Sequence, residues 1–109
     1  MNTTFGKYIR KLRIDKGLTL TQLAAKLELD SANLSKIENG KREFDEKRLL
    51  KLATVFELDI ENLKIEFFSD QFAKKIYEHN CSVKTLTIAE EKVNYLKSSN
   101  VKQSEIKFE

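Results

Sequence analysis

Residues 19–42, TLTQLAAKLELDSANLSKIENGKR, decide how the rest of the chain reads. Thr19 starts a helix, and Gln22 three residues on completes a capping box. Leu20, Leu23, Ala24 and Leu27 recur at helical spacing and mark one buried face. Glu28 and Leu29 form a turn, after which Asp30 caps a second short helix. In that helix Leu34 and Ile37 face inward, while Ser31, Ala32, Asn33, Ser35 and Lys36 stay on the outer side. Asn39-Gly40 closes it in the left-handed conformation that glycine tolerates best. A short helix with small polar residues at its front and Lys41-Arg42 just beyond its end has the form of an element that enters a DNA major groove.

Gly17-Leu18-Thr19, Leu23-Ala24 and the run Leu34-Ser35-Lys36-Ile37-Glu38-Asn39-Gly40-Lys41-Arg42 together resemble the lambda-repressor and Cro-like helix-turn-helix family. The resemblance covers roughly residues 5–63. It departs from the usual pattern at Leu20, where a glutamine is common, at Glu28 in place of a turn glycine, and at Phe44 in place of a proline. It implies a five-helix DNA-binding domain and a role in transcriptional regulation. Small members of the family include phage repressors, antitoxins and restriction–modification controller proteins, and a controller protein is the specific expectation it suggests.

At 109 residues the chain has room for one domain and an extension. Three glycines, no proline and 40% hydrophobic residues suit an all-α fold with a packed core. The net charge of +3 is mild. Up to Glu66 the chain carries 13 basic and 11 acidic residues, so any affinity for DNA must come from local arrangement. Cys81 is the only cysteine, which excludes an intramolecular disulfide and fits a reduced, cytoplasmic setting. No apolar run reaches the length of a membrane span, and the N-terminus lacks the apolar core of a signal peptide.

In chain order, a first helix is expected from Thr3 or Thr4 to Lys16. Phe5, Ile9, Leu12 and Tyr8 lie on its buried side, Lys7, Arg10, Lys11 and Arg13 on its wetter side, and Gly17 at its end. Asp45 caps a fourth helix over Glu46–Phe56, with Leu49, Leu50, Leu52, Ala53 and Phe56 in the core and Phe44 filling the preceding loop. Leu58 packs inward, Asp59 caps, and Ile60 opens a fifth helix. These elements set a DNA-binding domain over residues 1–66 and a helical extension over residues 67–109.

The extension reads as two amphipathic helices. Ile65, Phe68, Phe72 and Ile76 mark a stripe reaching about His79, which Phe67 and Tyr77 widen. After a break at Asn80-Cys81-Ser82, Leu86, Ala89, Val93 and Leu96 mark a second stripe from Val83 or Lys84 to Lys97. Ser98-Ser99-Asn100 ends it, leaving a loose tail from about residue 100 in which Ile106 and Phe108 alternate with charges. Such stripes must bury against something. They either fold back on the domain, form a two-fold dimer interface through Phe68, Phe72, Ile76, Leu86, Val93 and Leu96, or enclose a ligand.

The chemistry of the central stretch points to duplex DNA. Asn33 matches an adenine edge, Lys36 the guanine acceptors, and the Ala32 methyl a thymine methyl, with Ser31 beside them. Thr21, Asn39, Lys41 and Arg42 are placed for phosphate, as are Arg10 and Arg13 on the first helix. Glu38 reads as a structural partner rather than a DNA reader. No catalytic constellation is evident: His79 and Cys81 are too close for the usual zinc spacing and have no second ligand pair. The chain therefore reads as a non-enzymatic regulator with no cofactor or metal, acting as a homodimer on a pseudo-palindromic operator. The competing reading is an antitoxin or adaptor whose C-terminal helices hold a protein partner.

Overall fold

The Thr4 side chain accepts the Lys7 N–H at 3.2 Å and so caps α1 (Phe5–Asp15). The computed structural model describes residues 4–106, with side chains as far as residue 99. After α1 come α2 (Leu20–Leu27), α3 (Ser31–Glu38), a 3-10 turn over Glu46–Arg48 leading into α4 (Leu49–Phe56), α5 (Ile60–Glu78) and α6 (Lys84–Ile106). The described residues contain no strand, and none of their helices is long and apolar enough to cross a membrane.

Side-chain caps set most helix starts. Thr19 and Gln22 form the expected capping box, at 3.1 and 2.9 Å. Asp30 accepts the Asn33 N–H at 2.7 Å, and Asp59 accepts that of Asn62 at 3.0 Å. The first five helices share one ending. Gly17, Glu28, Gly40, Glu57 and Asn80 each have positive φ. The N–H of the next residue then returns to a carbonyl five positions back, as Leu29 does to Ala24 at 2.9 Å and Lys41 to Lys36 at 2.8 Å. Two of the five are glycines. The other three hold a left-handed conformation that costs a residue with a Cβ about 1 kcal/mol or more.

At Glu28, which replaces the family's turn glycine, the surroundings offset that cost. Arg48 donates from Nε to Leu27 O at 2.9 Å and from Nη2 to Glu28 O at 3.1 Å. A cation thus sits at the C-terminus of α2, where the helix dipole favours it. Arg48 is fixed in turn by Asp45 Oδ2 at 3.1 Å, so the residue that caps the 3-10 turn also orients this clamp.

Two compact units divide at Gln71/Phe72, beyond the expected boundary at residue 66. The core of the first is Phe5, Ile9, Leu23, Leu27, Leu34, Ile37, Phe44, Leu49, Leu52, Leu63 and Phe67, with Ala24 and Ala53 in the gaps. Phe67 explains the shift of the boundary. Instead of widening an extension stripe it is 2% exposed, edge-on to Phe5 at 5.2 Å and beside Phe44 at 6.4 Å. Phe44 is buried as expected. The fifth helix and the first extension helix are therefore one element, α5.

Other expectations change for local reasons. Leu50 is 67% exposed rather than core, because a helix buries only one stripe and Leu49, Leu52 and Ala53 already occupy it. The fourth helix starts as a 3-10 turn, its α-helical part beginning at Leu49. Helix α6 passes through Ser98-Ser99-Asn100 and continues to Ile106, since serine and asparagine only weakly disfavour a helix interior. The expected loose tail from about residue 100 is therefore helical as far as Ile106, and Phe108 lies outside the described residues.

The second unit joins the end of α5 to α6 by a turn at residues 79–83. Among its described side chains none is buried. Phe72, Ile76, Leu86, Ala89 and Val93 line an open apolar groove of about 440 Å³ between its two helices.

Candidate nucleic-acid interface

The pattern of α3 splits it into two faces. Leu34, Ile37 and Glu38 are buried, Ala32, Lys36 and Asn39 are exposed, and Ser31, Asn33 and Ser35 lie half-buried on the flanks. The centre of the outward face is thus Ala32 and Lys36, one turn apart.

Close packing of α1 holds the helix in place. Gly6 is buried, and a Cβ at that position would collide with Ile37 O and lie 3.2 Å from Glu38 O. The last turn of α3 can approach α1 only because residue 6 has no side chain. Nothing in the local pattern marks this glycine, since it sits in the first turn of an ordinary amphipathic helix.

Glu38 provides the second tie. Its carboxylate, 3% exposed, accepts Arg13 Nε at 2.8 Å and Arg13 Nη2 at 3.0 Å. Arg13 Nη1 donates to Leu18 O at 3.0 Å, so one guanidinium joins α1, the loop before α2 and the end of α3. The bidentate bond to Glu38 raises the Arg13 pKa above its ordinary value, against the opposing effect of burial. The structural role expected for Glu38 is therefore seen. The phosphate role expected for Arg13 is not: its side chain is 12% exposed and its donors turn inward. Arg10 remains on the surface, 60% exposed, with Nε 3.9 Å from Glu38 Oε1.

The remaining candidates surround the exposed face of α3. Thr21 is exposed in the first turn of α2. Lys36, Lys41 and Arg42 are exposed and form no ion pair among the described residues. Asn39 turns its amide back along the helix, donating to Ser35 O at 2.9 Å and contacting Ser35 Oγ at 3.4 Å. Asn33 donates from Nδ2 to Asp30 Oδ2 at 3.1 Å. Phe68, expected at a dimer interface, is half-buried and packs against the first unit's core, edge-on to Phe67 at 4.9 Å. Phe72, Leu86, Val93 and Leu96 are about half exposed, and Ile76 is half-buried.

Comparison with known proteins gives this geometry a family. A helix-turn-helix family model matches residues 9–63. An uncharacterized HTH-type transcriptional regulator of Bacillus subtilis (strain 168), RghRB, is 45% identical over 60 residues. That match covers 54% of this chain and 43% of RghRB, so the chain spans less than half the length of this curated relative. Among solved structures, the restriction-modification controller protein C.AhdI from Aeromonas hydrophila is 36% identical, with 54% of this chain and 89% of C.AhdI covered at a TM-score of 0.49. The clp gene regulator ClgR from Corynebacterium glutamicum is 24% identical, with 75% and 87% covered at a TM-score of 0.50. With more than half of its length matched by the family model, the chain belongs to the lambda-repressor-like helix-turn-helix family of transcriptional regulators.

Proposed function

We propose that this protein is a sequence-specific double-stranded DNA-binding regulator. It acts in the cytoplasm as a repressor or autoregulator, placing α3 of each subunit of a homodimer in successive major grooves of a pseudo-palindromic operator. The observation that carries this reading is the division of α3 into a buried face and an exposed one centred on Ala32 and Lys36. Lys36 and Asn33 supply base contacts, with Ser31 and Ala32 against the groove floor. Thr21, Asn39, Lys41, Arg42 and Arg10 hold phosphates and set register.

The dimer is supported by the second unit. A helical pair of this size cannot build a core of its own, and none of its described side chains is buried. Leu86, Val93 and Leu96, at 49, 47 and 56% exposure, supply an apolar face for a second copy. Most soluble homo-oligomers are two-fold dimers, and a two-fold protein matches a two-fold operator.

Two substitutions test the DNA reading. Lys36→Ala relaxes the preference at one base pair per half-site, by about 1–3 kcal/mol. Arg42→Ala weakens binding to every sequence and lowers the salt slope by about 1 per subunit. Equal losses on operator and random DNA for Lys36→Ala would remove it from the base-reading set.

A further inference from the structure

Asp30 does more than begin α3. One carboxylate oxygen accepts the Asn33 backbone N–H at 2.7 Å, and the other accepts Asn33 Nδ2 at 3.1 Å. An ionised carboxylate only accepts hydrogen bonds, so this contact fixes which way round the Asn33 amide stands: the NH2 group faces Asp30 and Oδ1 faces away. One N–H is used on Asp30, leaving the second N–H and Oδ1. Those two groups are what adenine requires in the major groove, with N7 accepting and the N6 amino group donating. Asn33 lies half-buried on the flank of the exposed face, where a side chain free to turn its amide would present either sense to the DNA.

We propose that Asp30 is a positioning residue for base recognition, holding the Asn33 amide in the sense that selects adenine. The proposal rests on the DNA-binding reading above. A carboxylate near the duplex repels phosphate, so Asp30 contributes discrimination rather than general affinity. Its action is through Asn33, and its signature is the identity of one base pair.

The test is selection from a random duplex pool with the full chain and three variants. Asn33→Ala locates the base pair that Asn33 reads. Asp30→Ser keeps a capping acceptor and removes the second oxygen, so adenine at that pair is retained with weaker discrimination. Asp30→Asn also keeps the cap but presents an NH2 group to Asn33. The Asn33 amide then turns its oxygen inward and offers only donors, so the preference at that pair moves from adenine toward guanine. The loss of adenine preference is about 5- to 150-fold, the range of one bidentate contact. Matching thermal midpoints for the Asp30 variants and the parent keep folding out of the comparison.

If Asp30→Asn still selects adenine at the pair that Asn33→Ala relaxes, Asp30 is a cap alone and the proposal fails. It also fails, with operator binding intact, if Asn33→Ala changes no base. An unsubstituted chain that selects no motif overturns the DNA-binding reading itself, which the parent arm reveals before any variant is compared.

Discussion

Replacing Arg13 by Met separates a structural cation from a DNA contact. The substitution keeps the aliphatic stem and removes the bonds at 2.8 and 3.0 Å to a Glu38 carboxylate that is 3% exposed. Stripping one partner from a buried ion pair costs about 3–5 kcal/mol, chiefly because the other charge is left buried. Arg10 Nε, 3.9 Å from Glu38 Oε1 on the surface, offsets part of that charge from where it already stands, which places the loss near the lower end, about 3 kcal/mol. For a unit of this size with a urea dependence of about 1 kcal/mol per M, the unfolding midpoint falls by about 3 M. Combining Arg13→Met with Glu38→Leu removes the stranded charge. Most of the stability returns, short of about 1 kcal/mol for the lost bond to Leu18 O. Where Arg13→Met is folded, its DNA affinity keeps the parent salt slope, since the guanidinium faces Glu38 rather than phosphate. Parental stability with a salt slope reduced by about 1 would return Arg13 to the phosphate set.

Three further outcomes follow from the same packing. Gly6→Ala, normally favourable in a helix by about 0.5–1 kcal/mol, destabilises by about 2 kcal/mol in thermal or urea unfolding, because the new Cβ meets backbone atoms of α3 that cannot rotate away. Leu50→Ala changes stability by less than about 0.5 kcal/mol, whereas Leu52→Ala costs about 2–5 kcal/mol; equal effects would contradict the placement of α4. A chain ended after Gln71 keeps Phe67 and the whole first core, and is expected as a folded monomer with much weaker operator binding by sedimentation and titration. A truncated dimer with parental affinity would give the α5–α6 hairpin to another partner.

The central stretch was legible because its determinants are local. Capping at Thr19 and Asp30, the Leu23, Leu27, Leu34 and Ile37 spacing and the Gly40 exit all act within a few residues, and the structure places each as expected. What local pattern could not supply was the choice between equivalent partners across the fold. Arg13 and Arg10 look alike on the first helix, and only the position of Glu38 turns one inward and leaves the other outside. Leu49 and Leu50 are adjacent leucines separated by a rotation of one residue about the helix axis. Phe67 and Phe68 are adjacent phenylalanines, one in the core and one at its edge, so the stripe that suggested an extension from residue 67 begins inside the first unit. Arg48 carried no local signal, because its task at the end of α2 depends on a carbonyl 21 residues away.

Selection of bound duplexes from a random pool, with the mass of the winning complex measured under native conditions, decides whether the chain reads a specific operator as a dimer. A homodimer on its operator yields a two-fold symmetric motif bound by two chains, with half-site centres about one helical turn, roughly 34–36 Å, apart or a multiple of it. Weak, salt-sensitive binding with no enriched motif would contradict it.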